Sequence, residues 1–176
     1  MSSIVIAGDT SGTVTLQAPA VAGSTTVTLP ASSMNMGNGG GSVATNTALG
    51  YQTLNANTTG SQNVAVGYQS LYSNTTGTSN AAVGYLALNL NTTATDNVAI
   101  GAYALANNTT GISNTAVGSA SLYLNTASNN TAVGYTALRN NTTGTPNDAF
   151  GYQALYANTT GNLNVAVGYQ ALNGNT

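Results

Sequence analysis

The stretch NVAVGYQSLYSNTTGTS, residues 63–79, sets the rule by which most of this chain is built. It returns at once as NAAVGYLALNLNTTATD, residues 80–96. Eight copies run from Asn46 to Thr176, the last one stopping short. Their glycines are Gly50, Gly67, Gly84, Gly101, Gly118, Gly134, Gly151 and Gly168, spaced by 17 residues except for one step of 16 between Gly118 and Gly134. A fixed period this short belongs to an array of stacked units, not to a globular domain folded around a pocket.

Numbered from its first Asn, the repeat has a strict grammar. Position three is Ala in every copy: Ala48, Ala65, Ala82, Ala99, Ala116, Ala132, Ala149 and Ala166. Position four is a larger apolar residue: Leu49, Val66, Val83, Ile100, Val117, Val133, Phe150 and Val167. Position five is the glycine. Position six is usually Tyr, as in Tyr51, Tyr68, Tyr85, Tyr135, Tyr152 and Tyr169. Position nine is always Leu: Leu54, Leu71, Leu88, Leu105, Leu122, Leu138, Leu155 and Leu172. Asn-Thr follows at positions twelve and thirteen, usually continued by Thr-Gly.

This grammar predicts an all-β chain, a parallel β-solenoid (β-roll) of eight 17-residue coils with two short strands per coil. Stacking at the ordinary strand spacing places equivalent residues above one another and gives a rod of roughly 40 Å. The position-four residues and the position-nine leucines are expected as two core ladders. The glycine marks a bend or a close backbone approach. Asn-Thr-Thr-Gly makes the other corner, where Asn and Gly tolerate left-handed conformations and stacked Asn side chains can hydrogen-bond along the ladder. A helical repeat is excluded, because glycine and the corner interrupt each copy before three helical turns are complete.

One thin coil buries little apolar surface against the cost of ordering 17 residues. That shortfall predicts a homotrimer around a common axis, with the small position-three Ala as the axial contact; a monomeric solenoid is the simpler alternative.

Composition narrows the function. The 176 residues carry one basic residue, Arg139, and three acidic ones, Asp9, Asp96 and Asp148. Without a basic patch, binding to nucleic acid through phosphates is not expected. No apolar run is long enough to span a bilayer. Without His, Cys or Glu, neither a metal centre nor a cofactor is expected. Glycoside cleavage usually needs a carboxylate pair. Asp96 and Asp148 stand at different repeat positions several coils apart, so no enzyme is expected.

Ahead of the array, residues 1–30 hold three short β-branched runs, Ile4-Val5-Ile6, Val14-Thr15-Leu16 and Val27-Thr28-Leu29, between turn-forming stretches. They predict a small N-terminal β module. Residues 31–45 are rich in Gly, Ser and Asn and read as a linker, and residues 46–176 as the shaft. The first residues do not form a secretory signal. The last copy ends in mid-repeat at Asn175-Thr176, which suggests that a tip or assembly domain follows in a longer protein.

The stretch NVAVGYQSLYSNTTGTSNAAVGYLAL, residues 63–88, resembles the repeats of bacteriophage tail fibres and related virion appendages. More loosely it is similar to the head repeats of trimeric autotransporter adhesins, through the shared Asn-x-Ala-(Val/Ile)-Gly core. Those heads are trimeric parallel β-rolls with shorter coils. SGTVTLQAPAVAGSTTVTLPA, residues 11–31, resembles a β module near the start of many phage tail-fibre proteins. The resemblance implies a fibre shaft on a virion, attached to a baseplate or tail protein by its N-terminal module. Host glycan or protein would then be recognised by a distal part. The alternatives are an adhesin head that binds surfaces through the repeats, and a self-assembling extracellular filament.

Three repeated features invite other readings. Tyr faces beside Asn and Thr can bind sugars, but a repeated column is expected to be structural. The copies that break the Tyr-Gln pattern, at Leu86, at Ala102 with Tyr103, and at Ser119, are the better sugar-binding candidates. Asn57, Asn74, Asn91, Asn108, Asn141 and Asn158 open glycosylation sequons, yet Asn-Thr is also simply good corner chemistry. Paired threonines such as Thr58 and Thr59 are reminiscent of ice-binding solenoids, but adjacent residues of an extended segment face opposite ways.

Overall fold

The computed structural model describes residues 45–176 and the backbone of Val14–Leu16 (β1), Val27–Leu29 (β2) and Met34–Asn35 (β3). The repeats form an all-β parallel solenoid. Each coil contributes one short strand: Thr47–Leu49 (β4), Val64–Val66 (β5), Ala81–Val83 (β6), Val98–Ile100 (β7), Thr115–Val117 (β8), Thr131–Val133 (β9), Asn147–Phe150 (β10) and Asn164–Val167 (β11). They stack in chain order into one parallel sheet. The register is strict: Ala48 lies opposite Ala65, Ala65 opposite Ala82, and so on to Ala166.

The position-nine leucines form the core. Leu54, Leu71, Leu88, Leu105, Leu122, Leu138 and Leu155 are completely buried, and Leu172, at the end of the described stack, is 51 % exposed. Their partners inside the coil are the position-three alanines, from Ala48 to Ala166. This corrects the expected second ladder. Strand residues alternate between faces, so position four must point opposite to position three. Leu49, Val83, Ile100 and Phe150 are exposed, Ile100 by 43 %, and Val167 on the last coil is more exposed still. Val66, Val117 and Val133 are only half-buried. A coil this narrow has room for Leu and Ala and nothing larger. For the same reason the invariant Ala cannot be an axial contact between chains, because it is already enclosed by its own coil.

The second strand expected in each coil is replaced by a tight turn. Positions seven and nine have positive φ, as at Gln69 (51°) and Leu71 (49°). An extended run over positions six to eleven would span about 20 Å, too far for a core one Leu wide. The left-handed residues curl the chain back while leaving its amides aimed at the neighbouring coils. Gln69 donates to the Tyr51 carbonyl (2.9 Å), Leu71 to Ala87 (3.0 Å) and Ser73 to Asn89 (3.0 Å).

At position five the glycine is demanded twice over. Gly84 has φ of 139°, and a Cβ there would sit 2.5 Å from the Gly101 carbonyl oxygen of the next coil.

Two buried files of asparagine close the remaining corner. At position one, the backbone N–H of Asn80 donates to Oδ1 of Asn63 (3.0 Å), and its own Nδ2 reaches the Ala94 carbonyl (2.9 Å). At position twelve, Asn74 Nδ2 donates to Asn57 Oδ1 (2.9 Å) and to the Gly77 carbonyl (3.1 Å). Both files thus converge on the carbonyl at position fifteen. A core of Ala and Leu alone specifies coil-to-coil alignment weakly; amides that bond their own equivalents specify it strongly.

The position-twelve file is interrupted on both sides of Asn108, between the runs Asn57–Asn91 and Asn125–Asn175. The Asn108 side chain bonds its own turn instead of its neighbours, donating to the Gly111 carbonyl (2.8 Å) and accepting from the Gly111 N–H (3.1 Å). Asn91 Oδ1 is left buried without a partner. The break adjoins the one short coil, in which Ala127 takes the role of position fifteen and accepts from both Asn114 (2.8 Å) and Asn125 (2.7 Å). The missing residue is therefore absorbed at the corner, and the sheet runs on undisturbed.

This asymmetry is testable by chemical unfolding. Asn74→Ala removes bonds to two neighbouring coils and should cost about 2–3 kcal/mol. Asn108→Ala, which loses only bonds within its own turn, should cost about 1 kcal/mol.

In the N-terminal region β1 and β2 form an antiparallel pair, Val14 opposite Leu29. The run Ile4-Val5-Ile6 lies outside the described residues. Within the span expected as a linker, β3 pairs antiparallel with β4, placing Met34 opposite Leu49. It thereby covers an edge that the first coil would otherwise leave unpaired. The rest of that span lies outside the described residues.

Candidate functional site

The Tyr residues at position six follow the glycine bend, on the flank next to the sheet face. Tyr51, Tyr68 and Tyr85 stack with ring centroids 5.5 and 5.3 Å apart, and Tyr135, Tyr152 and Tyr169 with 5.4 and 5.1 Å. Parallel rings at coil spacing follow directly from the repeat, and the two columns stack as ladders along the rod.

Between them the pattern breaks, and it breaks where the copies are irregular. Ala102 and Ser119 occupy position six in two successive coils. From Tyr85 to Tyr135 is three coil steps, or about 14 Å, with only these two small side chains between. The aromatic path leaves the column and crosses the surface. Tyr103, at position seven, meets Tyr85 edge-on (5.3 Å, 73°), and Tyr123, at position ten, meets Tyr103 edge-on (6.2 Å, 77°). Arg139, also at position ten, ends the path with its guanidinium carbon 5.0 Å from the centre of the Tyr123 ring. Its Nη1 donates to Asn140 Oδ1 (3.1 Å).

Tyr103 stands beside the column because it occupies position seven, where the backbone is left-handed in every coil (φ 60° here). Its phenol is pushed above the ordinary tyrosine range, first by loss of surrounding water, then by a hydrogen bond with Tyr85 and by the charges that Tyr85 and Tyr123 would carry if ionised.

The structure brings Tyr103, Ala102 and Ser119 together at this break, and Leu86 lies half-buried at position seven of the coil before. Sequence reasoning passed over Tyr123 and Arg139, because position ten varies freely among Asn, Tyr, Ala and Arg. The available signal was that Arg139 is the one cation in the chain.

Other candidates fall elsewhere. The sequon asparagines are buried, and Nδ2 of each is held by the position-fifteen carbonyl of its own turn. The folded coil has no room for a glycan there. The two threonines of the triplet differ in role: Thr75 Oγ1 bonds the Thr92 carbonyl of the next coil (3.0 Å), whereas Thr76 faces solvent. Asp96 accepts from Thr95 Oγ1 (2.8 Å) at one corner, and Asp148 lies on the sheet face in β10. Among the described residues no helix is long and apolar enough to cross a membrane.

Comparison with protein families, curated proteins and solved structures finds no match to this chain.

Proposed function

We propose that this chain is a non-enzymatic structural fibre protein, the shaft of a virion appendage such as a phage tail fibre. It holds a host-recognition element away from the particle, on a virion to which the β1–β2 module attaches it. The observation that carries this reading is the in-register stack of eight coils, tied without a break by the backbone, the Leu ladder and the position-one Asn file. Such an array is a spacer: its length scales with copy number, and no coil depends on distant ones.

The shaft is a homotrimer in this reading, with the axis against the outer face of the sheet. Positions two and four point outward there, and Val64, Val83, Ile100, Phe150, Val165 and Val167 expose an apolar stripe along the rod. A second and third copy fit it better than an unrelated partner does. An identical chain in the same register presents the same side chains at the same coil spacing, so a three-fold axis along the rod matches every level at once.

Light scattering on the intact chain tests both parts. Three times the chain mass is expected. Ile100→Asp should shift the species toward monomer while each coil retains its far-ultraviolet spectrum, because Ile100 adds nothing to the coil's own interior. A monomeric wild-type chain would overturn the trimer and, with it, the shaft reading in this form. Large open-ended species would favour the self-assembling filament.

A further inference from the structure

We propose that the path from Tyr85 through Tyr103 and Tyr123 to Arg139 is a lateral binding site for a carboxylate-bearing saccharide. This is a function of the flank itself, separate from its role as a spacer and from any distal recognition element.

The argument begins with locality. A repeated feature is explained by the repeat, but this one occurs once, over four successive coils. Ala102 and Ser119 remove the ring from position six twice, Tyr103 is the one Tyr at position seven and Arg139 the one Arg at position ten, and Tyr123, at a position that Tyr72 and Tyr156 share, joins them. The result is an oblique aromatic surface beside two small side chains, Ala102 and Ser119. Its rings meet edge to face, unlike the parallel stacks above and below. The rings of the break are therefore turned relative to one another, and Tyr103 remains 38 % exposed. Exposed aromatic faces pack against the C–H face of a pyranose ring.

Charge identifies the second element. Arg139 is the chain's one cation, and among the described residues it has no carboxylate partner; its contacts are Asn140 and the Tyr123 ring. Asp96 and Asp148 belong to other faces of the coil. A guanidinium held over an aromatic ring is oriented and partly desolvated, and it offers its fork of donors to a planar oxyanion. A carboxylate matches that fork in two parallel hydrogen bonds. The site thus combines an aromatic platform, the Ser119 hydroxyl and a single positive charge. A sugar acid meets all three. A nucleic acid strand does not, since one cation cannot offset a run of phosphates.

The test is titration of the full chain with tetragalacturonic acid and with sialyllactose, followed by NMR shifts and calorimetry at low salt. Maltotetraose and a short oligothymidylate serve as comparisons. At least one acidic saccharide should bind and perturb tyrosine signals of the break, with maltotetraose at least about tenfold weaker. Arg139→Gln should weaken the acidic ligand by about tenfold or more, and Tyr103→Ser should also weaken it. Tyr169→Ser, in the regular column, should leave affinity unchanged. All variants are checked by thermal melting, since each residue is at the surface and the coil should survive. Failure of both acidic saccharides to bind at millimolar concentration would overturn the proposal. So would equal binding of maltotetraose, unchanged affinity in the Arg139 variant, or tighter binding of the oligothymidylate.

Discussion

Leu105→Asp should destabilise the chain by more than about 5 kcal/mol, whereas Tyr103→Ser, two residues away, should cost about 1 kcal/mol. Leu105 has no exposed surface and is packed among the buried alanines and leucines of the coil interior. Removing its side chain forfeits the transfer energy and opens a cavity that a stack of fixed pitch cannot close. The carboxylate adds a charge with no counter-ion in reach. Tyr103 loses only edge contacts on a partly wet surface. Urea unfolding gives the two energies. Hydrogen exchange should show the Asp variant opening first at residues 97–113, because each coil depends chiefly on its neighbours. Comparable energies for the two variants would refute the assignment of the core.

The second large effect is expected at Gly101. Its φ of 133° belongs to a region that residues with a Cβ almost never adopt, and a Cβ would lie 2.6 Å from the Gly118 carbonyl carbon and oxygen. Both obstacles are backbone, so neither can rotate away. Gly101→Ala should therefore cost about 4 kcal/mol, strain and overlap together. Gly168 separates the two contributions. It has the same kind of φ, 130°, but its nearest neighbour to a Cβ is Ala171 at 4.0 Å. Gly168→Ala should cost only about 1–2 kcal/mol. Equal losses at both sites would mean that φ strain alone, and not coil-to-coil approach, makes this glycine necessary.

Much of the fold was legible because the chain repeats itself. The period, the parallel stack, the Leu core and the Asn corner all follow from residues that recur at fixed positions. The error at position four is one of parity: Val and Ala are neighbours on a strand, and one of the two must face out. Size suggested Val as the core residue. The better cue was variation among copies. Position three never departs from Ala, as an enclosed site of fixed volume requires, while position four ranges over Leu, Val, Ile and Phe, as an open face permits. The left-handed turn was hidden for a different reason. Leu and Gln do not advertise positive φ as Gly or Asn do, and the surrounding coil over-determines them. The position-one asparagines were visible as invariant but had no role until the register placed each beneath the next. The aromatic break was partly legible from Ala102 and Ser119; its far end at Arg139 depended on which side chains four successive coils bring together.

The direction of the hydrogen bonds has a mechanical consequence. Nearly all the bonds that join one coil to the next run along the rod, while the covalent chain winds around it. Tension applied at the two ends therefore pulls on the ladders in series, and a terminal coil can let go without disturbing the rest. Each coil released turns roughly 5 Å of rod into about 60 Å of extended chain. A rod built this way resists bending as a solid but yields to stretch in discrete steps, dissipating work each time a coil peels away and recovering length as it rewinds.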